Sequence, residues 1–139
     1  RNLILKGYSV RCFPDYRQAI LDDMIKLDGE LEPDIVFLPS IYDTHQDHKV
    51  ISEEGFRAFK KRSIFGYEMP WNNLTFSTTG FVILEERHIK KKIEAYQCYE
   101  SQSFRNEDAD RIKSLAILRG QQVATKYAEA FEIIRYVMK

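Results

Sequence analysis

Pro-Asp-Ile-Val-Phe-Leu-Pro (33–39) is an apolar run between two prolines, and Ser-Ile-Tyr-Asp-Thr-His-Gln-Asp-His (40–48) follows it directly. A continuous apolar run is typical of a strand that is covered on both faces of a sheet. The second stretch brings two of the three histidines of the chain together with two aspartates. Because ligands of open α/β sheets bind just beyond the carboxyl ends of the strands, these stretches predict a buried strand followed by a functional loop. An ordinary polar turn is the alternative, since Asp and Thr also favour turns.

The residues on either side of the apolar run predict an α/β fold. Alternating apolar residues indicate a strand within residues 2–13, and helical spacing indicates helices over Tyr16–Leu31 and Lys49–Lys61. A strand, a helix and a strand in succession form a β-α-β unit with parallel strands and a right-handed crossover. The prediction is a three-layer domain with a mostly parallel sheet. Residues 35–38 are its interior strand, and Phe37 is a core residue whose truncation costs about 3–5 kcal/mol.

Weaker patterns predict the remaining elements. They are a short strand in residues 63–69, two strands or one bent strand in residues 74–84, helices over Glu85–Tyr99 and Ala109–Val123, and a polar loop over residues 101–110. Gly120 marks a close approach or a break in the last of these helices. Residues 128–138 stay ambiguous, because Ala-Glu-Ala favours helix and the residues after it favour strand.

The composition limits the class of protein. Of the 139 residues, 44% are hydrophobic, which suffices for a core, and 21 basic residues balance 21 acidic ones. The sequence therefore shows no basic excess for nucleic acid, and it has no apolar run of the length that spans a membrane. Cys12 and Cys98 fit reduced thiols of a cytoplasmic protein better than a disulfide framework. Residues 1–139 are expected to be a single domain or part of one.

Five segments, in series, resemble the PIG-L/LmbE-like family of zinc-dependent de-N-acetylases. They are Pro-Asp-Ile-Val-Phe-Leu-Pro-Ser (33–40), Asp-Thr-His-Gln-Asp-His (43–48), Gly-Tyr-Glu-Met-Pro-Trp-Asn (66–72), Tyr-Glu-Ser-Gln (99–102), and Arg-Gly (119–120) with Lys-Tyr-Ala-Glu-Ala-Phe (126–131). The Ala-His-Pro-Asp-Asp-Glu-like stretch that the family carries after its first strand does not occur in these 139 residues. The resemblance implies a Rossmann-like fold that lacks its N-terminal β-α portion. It also implies the C-terminal part of a longer enzyme.

The same resemblance gives roles to the loop. It implies that His48 is a zinc ligand and that His45 stabilises the tetrahedral oxyanion. Asp47 lies between them, where it could orient an imidazole or raise its pKa. The other two zinc ligands, a His and an Asp, and the aspartate general base would come from the missing stretch. Gln46 stands where many relatives have proline, which would leave this loop less rigid, and His88 is expected to be a surface histidine.

Three further residues are candidates for substrate contact. Asp43 could contact metal or substrate, although Asp-Thr is also a good turn. Trp71 could stack on the apolar face of a sugar, but a lone tryptophan beside proline is more often a core anchor. Glu129 matches a family position, and a buried structural hydrogen bond is the alternative role there.

The implied function is that of a hydrolase acting on linear amides. A zinc-activated water would remove the N-acetyl group of an N-acetylglucosamine-type sugar conjugate, a small molecule, and the fragment alone would be inactive. Homo-oligomerisation is compatible with the sequence. The main alternative is a non-catalytic binding or assembly module that keeps the fold without the full metal site. A nucleotide-binding Rossmann domain is disfavoured, because the sequence has no Gly-x-Gly-x-x-Gly or Walker A stretch.

Overall fold

A computed structural model of the chain describes residues 3–99 and 108–138. These residues form a mixed α/β fold, which confirms the predicted fold class. The elements are a 3₁₀ turn (Phe13–Tyr16), α1 (Arg17–Leu31), β1 (Ile35–Pro39), α2 (Gln46–Ala58), β2 (Ser63–Tyr67), β3 (Gly80–Leu84), α3 (Glu86–Gln97), α4 (Asp108–Gln122) and β4 (Tyr127–Arg135). The strand order in the sheet is β1-β2-β4-β3. Most of the loop predicted over residues 101–110 lies outside the described residues.

The chain divides into two compact units. The first contains the residues up to Ser77 and those from Phe131 onward, and the second is Thr78–Ala130. β4 therefore contributes its first residues to the second unit and the remainder to the first. The single-domain assignment stays a prediction.

In the first unit, β1 and β2 are parallel neighbours connected through α2. Their register pairs Ile35 with Ser63 and Pro39 with Tyr67. β4 runs antiparallel to β2, so the sheet is mixed. Helix α2 contacts both α1 and β1. The core of this unit consists of Leu21, Leu38, Ala58, Phe59 and Ile64, with Met24, Val36, Ile51 and Ile134 packed against it.

β1 is confirmed as a strand, but the prediction that it is an interior strand is wrong. It lies at the edge of the described sheet, with β2 as its neighbour. Its burial alternates: Leu38 is 4% exposed and faces the core, whereas Ile35 and Phe37 are 46% and 52% exposed. Phe37 contacts the rings of Phe65 and Phe131, with centroids 5.8 and 5.2 Å away. The prediction that Phe37 is a core residue is therefore also wrong, because an apolar run does not reveal whether both faces are covered.

The strand predicted within residues 2–13 is absent from residues 3–12, which are irregular. The parallel pair joined by a helix is instead β1-α2-β2. An alternating pattern forms a strand only where a neighbouring strand supplies backbone partners, so strand propensity depends strongly on context. This segment is held by side chains, with Lys6 Nζ and Tyr8 Oη donating to Asp23 at 2.8 and 2.6 Å.

The second unit has a separate core, formed by residues of α3, α4 and β4. Ile89, Ala116 and Tyr127 are buried there, with Leu84 and Ile93 packed against them. Residues 74–84 contain one strand, β3, and the ambiguous C-terminal stretch forms β4. A capping box starts α3, in which Glu85 N donates to His88 Nδ1 at 2.9 Å. His88 is exposed, as predicted.

Gly120 marks a close approach in the second unit, as predicted from the sequence. A Cβ atom at this position would lie 2.7 Å from the carbonyl oxygen of Thr125 and 2.8 Å from that of Lys126. Because glycine has no side chain, the end of α4 can pack on the backbone that leads into β4.

Candidate active-site loop

The candidate loop leaves the carboxyl end of β1 and leads into the first turn of α2, which contains Asp47 and His48. Ser40 begins it, and its backbone N donates to Tyr67 O on β2 at 3.2 Å. The turn closes when Asp43 N donates to Ser40 O at 3.1 Å. Asp43 is thereby carried at a fixed distance beyond the strand, at the edge of the sheet where the sequence predicts the chemistry.

Asp43 orients His48. Its buried carboxylate accepts the backbone N–H of His45 through Oδ1 at 2.8 Å, and its Oδ2 lies 2.7 Å from His48 Nδ1. A carboxylate only accepts hydrogen bonds, so the hydrogen lies on Nδ1 of His48, and the neutral imidazole has its lone pair on Nε2. A carboxylate behind one ring nitrogen is the usual arrangement of a histidine that ligates metal through the other.

His45 has the opposite tautomer. It is the N-cap residue of α2, and its Nδ1 accepts the backbone N–H of Asp47 at 3.2 Å. In the neutral ring the hydrogen must therefore lie on Nε2, which makes this atom a donor. The rings of His45 and His48 lie against each other, with centroids 4.6 Å apart and planes inclined by 30°. The end of the loop and the first turn of α2 thus place an imidazole with an Nε2 lone pair, that of His48, beside one with an Nε2–H, that of His45.

The side chain of Asp47 is buried, and its carboxylate binds backbone N–H groups rather than an imidazole. Its carboxylate accepts from Arg11 N at 2.6 Å and Phe13 N at 3.2 Å, and Gln46 Nε2 donates to Arg11 O. The imidazole-orienting contact that the sequence suggested for Asp47 is made by Asp43 instead. Asp47 and Gln46 attach the irregular N-terminal segment to the loop, and Arg11 adopts a left-handed conformation there, with φ 68°. Gln46 lacks the rigid ring of the proline that the resembled family often has at this position, but its side chain is held by this hydrogen bond to Arg11 O.

A second loop, residues 69–73, pairs with the first. Asn72 O accepts both the backbone N–H and the hydroxyl of Thr44, at 3.1 and 2.8 Å. Asp43 and Asn73 form an isolated antiparallel bridge. Trp71, in the middle of this loop, is 49% exposed, which is not the burial of a core anchor. The tryptophan directly precedes Asn72, so its accessible ring belongs to the loop that binds the histidine loop.

Two residues that the sequence did not single out also belong to this end of the sheet. Tyr67 ends β2; burial raises the pKa of its hydroxyl, and the negative charge of Asp43 raises it further. Glu132, on β4, is 4% exposed and accepts from Ser40 Oγ at 2.6 Å. One sequence signal was available for Glu132: it is the single charge within the apolar stretch Ala-Phe-Glu-Ile-Ile (130–134).

Glu129 lies in the second unit, whereas Asp43, His45, Asp47, His48 and Trp71 lie in the first. The Glu129 carboxylate is half-buried and forms an ion pair with Lys92. Glu129 therefore does not make the fully buried hydrogen bond considered from the sequence, and its carboxylate is not free of partners.

The geometry of His48 can be compared with that of a metal ligand. A catalytic zinc typically has three protein ligands and an open position. His48 fits one of these, because Asp43 fixes its Nδ1 and leaves Nε2 as the ligand atom. Within residues 3–99 and 108–138, no three His, Cys, Asp or Glu side chains are grouped so that they could hold a metal ion. The same part of the chain has no helix long and apolar enough to cross a membrane.

No protein-family model and no curated protein matches the sequence. Several solved structures are nevertheless similar. The N,N'-diacetylchitobiose deacetylase of Pyrococcus horikoshii covers 85% of this chain, with 19% identity and a TM-score of 0.65. The zinc-inhibited form of teicoplanin deacetylase Orf2 covers 94%, with 17% identity and a TM-score of 0.69. The chain has a deacetylase-type fold.

The conserved protein TT1542 of Thermus thermophilus has the same fold, with 21% identity, a TM-score of 0.69 and 91% of this chain covered. At these identities the similarity establishes the fold alone. The chain spans 51%, 56% and 61% of the length of the chitobiose deacetylase, the teicoplanin deacetylase and TT1542, respectively. Each of these proteins therefore contains a substantial region that the chain does not match.

Proposed function

We propose that this chain is the part of a zinc-dependent de-N-acetylase that carries one metal ligand, His48, and the oxyanion donor, His45. The observation that supports this most is the pair of adjacent imidazoles, one with Nδ1 against the Asp43 carboxylate and the other with Nδ1 against a backbone N–H at the N-terminus of α2, contacts that assign opposite tautomers to the two rings. Metal-assisted amide hydrolysis uses side chains that bind the metal and a hydrogen-bond donor for the oxyanion, and these two adjacent histidines would supply one of each.

His48 would hold the metal through Nε2, and Asp43 would act as its positioning residue. A bound zinc supplies a Lewis acid and lowers the pKa of a coordinated water. The other two ligands and the general base would come from an Ala-His-Pro-Asp-Asp-like segment, which the resembled family has and these 139 residues lack. The similar structures extend beyond the region that this chain matches, which is compatible with further ligands coming from another segment.

His45 would donate its Nε2–H to the carbonyl oxygen of the substrate as negative charge develops there. The Asp47 N–H occupies Nδ1, so the neutral ring has a hydrogen to donate at Nε2 without first binding a proton. A donor that is already oriented strengthens its interaction in the transition state without reorganisation. Asp47 itself would act indirectly, by fixing the start of α2 and the segment around Arg11.

The substrate would be the N-acetyl group of an N-acetylglucosamine-type sugar conjugate. The exposed ring of Trp71 is suited to stacking on the apolar face of a pyranose. Two similar structures are, by their names, deacetylases of N,N'-diacetylchitobiose and of teicoplanin.

Amine release from N-acetylglucosamine conjugates by the full-length protein tests this proposal. His45→Ala and His45→Asn should each lower kcat by about 10²–10³-fold, as expected for loss of one oxyanion donor. His45→Asn is the sharper variant, because Asn is a good N-cap residue that replaces the cap without the Nε2 donor. His88→Gln, which keeps the capping box of α3, should leave the rate unchanged. Full activity in both His45 variants would remove the oxyanion role.

A non-catalytic sugar-binding module is the second candidate. It is favoured by the lack of a three-ligand group among the described residues. A module of this kind would quench the fluorescence of Trp71 on binding N-acetylglucosamine conjugates, but the full-length protein would release no amine with zinc present.

A further inference from the structure

We propose that Glu132 is a positioning residue for His48 and acts through Ser40 and Asp43; the proposal rests on the proposed role of His48 as a metal ligand. All four residues lie in the first unit. They form a continuous path of hydrogen bonds from the middle of β4 to the imidazole.

The first step of this path is the buried carboxylate of Glu132. Glu132 Oε2 accepts from Ser40 Oγ at 2.6 Å, and Oε1 accepts from Ser77 N at 3.1 Å. Among the described residues, no Lys or Arg forms an ion pair with Glu132. The other fully buried glutamate of this unit, Glu54, contrasts with it, because Arg17 and Arg57 both bind its carboxylate.

This contrast suggests a reason for Glu132 other than stability. A buried charge carries a desolvation penalty, and an apolar residue of similar volume often serves the fold as well or better. The carboxylate of Glu132 does what an apolar side chain cannot: it fixes the direction of the Ser40 hydroxyl.

The second step is the turn built on Ser40. Its hydroxyl donates to Glu132 and accepts from Tyr42 N at 3.1 Å, while its carbonyl accepts from Asp43 N at 3.1 Å. Together with the bond from Ser40 N to Tyr67 O, every polar atom of Ser40 is engaged. The backbone of residues 40–43 is therefore held both from the sheet and from within the turn.

The third step is the contact of Asp43 with His48. Both oxygens of the buried Asp43 carboxylate are used, one by the His45 backbone and one by His48 Nδ1. The orientation of the His48 ring depends on the position of this carboxylate. The position of the carboxylate depends on the backbone turn of residues 40–43, which Ser40 fixes.

Gly66 packs against this path. A Cβ atom at Gly66 would lie 3.0 Å from Glu132 Oε2 and 3.3 Å from Ser40 Cα. A side chain at residue 66 would therefore require the Glu132 carboxylate or its neighbours to shift by a few tenths of an ångström. Gly66→Ala provides a variant that displaces the carboxylate while keeping its charge.

The test is ¹⁵N NMR of the histidine side chains in the 139-residue chain without metal, at about pH 8, where an ordinary imidazole is neutral. Wild type should show His48 as the Nδ1–H tautomer. Glu132→Gln should shift His48 toward the Nε2–H tautomer, because Gln replaces one carboxylate oxygen by an NH₂ donor, so that Ser40 Oγ and Ser77 N no longer each face an acceptor atom. Ser40→Ala should cause the same shift, since it removes the hydroxyl and leaves Glu132 in place.

Glu54→Gln is the matched control, since it changes a buried glutamate of the same unit that is not connected to the loop. It should leave the His48 tautomer as in wild type, so a general loss of stability is separated from a positioning effect. A His48 spectrum that stays at the wild-type tautomer in folded Ser40→Ala or Glu132→Gln overturns the proposal. If Glu132→Gln does not fold, Ser40→Ala and Gly66→Ala decide by the same criterion.

Zinc added to the full-length wild-type protein tests separately the proposed role of His48 as a metal ligand. Movement of the His48 Nε2 resonance supports metal ligation. An unmoved resonance contradicts the proposed function, whereas the tautomer shifts in the metal-free variants still decide whether Glu132 positions His48.

Discussion

Leu38 and Phe37 are neighbours on β1, but their side chains lie on opposite faces of the sheet. Leu38 packs in the core of the first unit with Leu21 and Ile64, whereas about half of the Phe37 ring meets solvent. Leu38→Ala should therefore lower the free energy of unfolding by about 2–5 kcal/mol. Phe37→Ala should cost about 1 kcal/mol, because full burial of such a side chain contributes only about 1.5–3 kcal/mol.

Urea unfolding of the two variants measures this difference. Leu38→Met serves as the control, because it nearly conserves volume and should cost less than about 1.5 kcal/mol. Equal losses in Phe37→Ala and Leu38→Ala would mean that the open face of β1 is covered in solution.

At the scale of an element, two helical glycines differ in their surroundings. Gly120 in α4 lies against the backbone of Thr125 and Lys126, whereas a Cβ at Gly29 in α1 would meet nothing within 4 Å. Gly120→Ala should destabilise the protein by about 1–3 kcal/mol, because the obstructing atoms are backbone and cannot rotate away. Gly29→Ala should stabilise it by about 0.5–1 kcal/mol through helix propensity.

Thermal unfolding of both variants provides the comparison, and each serves as the control for the other. A stabilising Gly120→Ala would show that the end of α4 does not pack on the segment that enters β4.

The attachment of the N-terminal segment to α1 should depend on pH. The hydrogen bond from Lys6, followed by that from Tyr8, lowers the pKa of Asp23 below its ordinary value. Because the folded-state pKa is the lower one, the stabilisation is fully present above the ordinary carboxyl pKa of about 3.9 and is lost as the pH falls through the lowered value.

The difference in unfolding free energy between wild type and Asp23→Asn, measured by urea denaturation at several pH values, reports this effect. It should be constant near neutral pH and shrink as the solution is acidified. A difference that is independent of pH, or that grows in acid, would contradict the assignment.

At the scale of the whole molecule, periodicity predicted most elements but not their surroundings. α1 and β1 lie where apolar spacing put them, and α2 begins three residues earlier than predicted because His45 caps it. The strand status of residues 3–12 and the burial of Phe37 were mispredicted, since both depend on neighbours that the local sequence does not specify.

In the candidate site, too, the sequence predicted the residues but not their contacts. The residues of the site were identified from their spacing, yet only the hydrogen bonds of the folded chain reveal that the carboxylate of Asp43, and not that of Asp47, contacts an imidazole. Glu132 was missed because it meets Ser40 across 92 residues of sequence, through the register of β4 beside β2. Similar folds at 17–21% identity fit this pattern, since a fold survives substitutions that change individual contacts.

That His48 is a metal ligand is tested most directly by the zinc content of the full-length protein, measured by atomic emission. Wild type, His45→Asn and His88→Gln should each contain one zinc per chain, and His48→Ala should lose most of it. The isolated 139-residue chain should bind zinc weakly or not at all, because it supplies one proposed ligand of about three. Retention of the full zinc content in His48→Ala, or tight stoichiometric zinc in the isolated chain, would contradict the assignment.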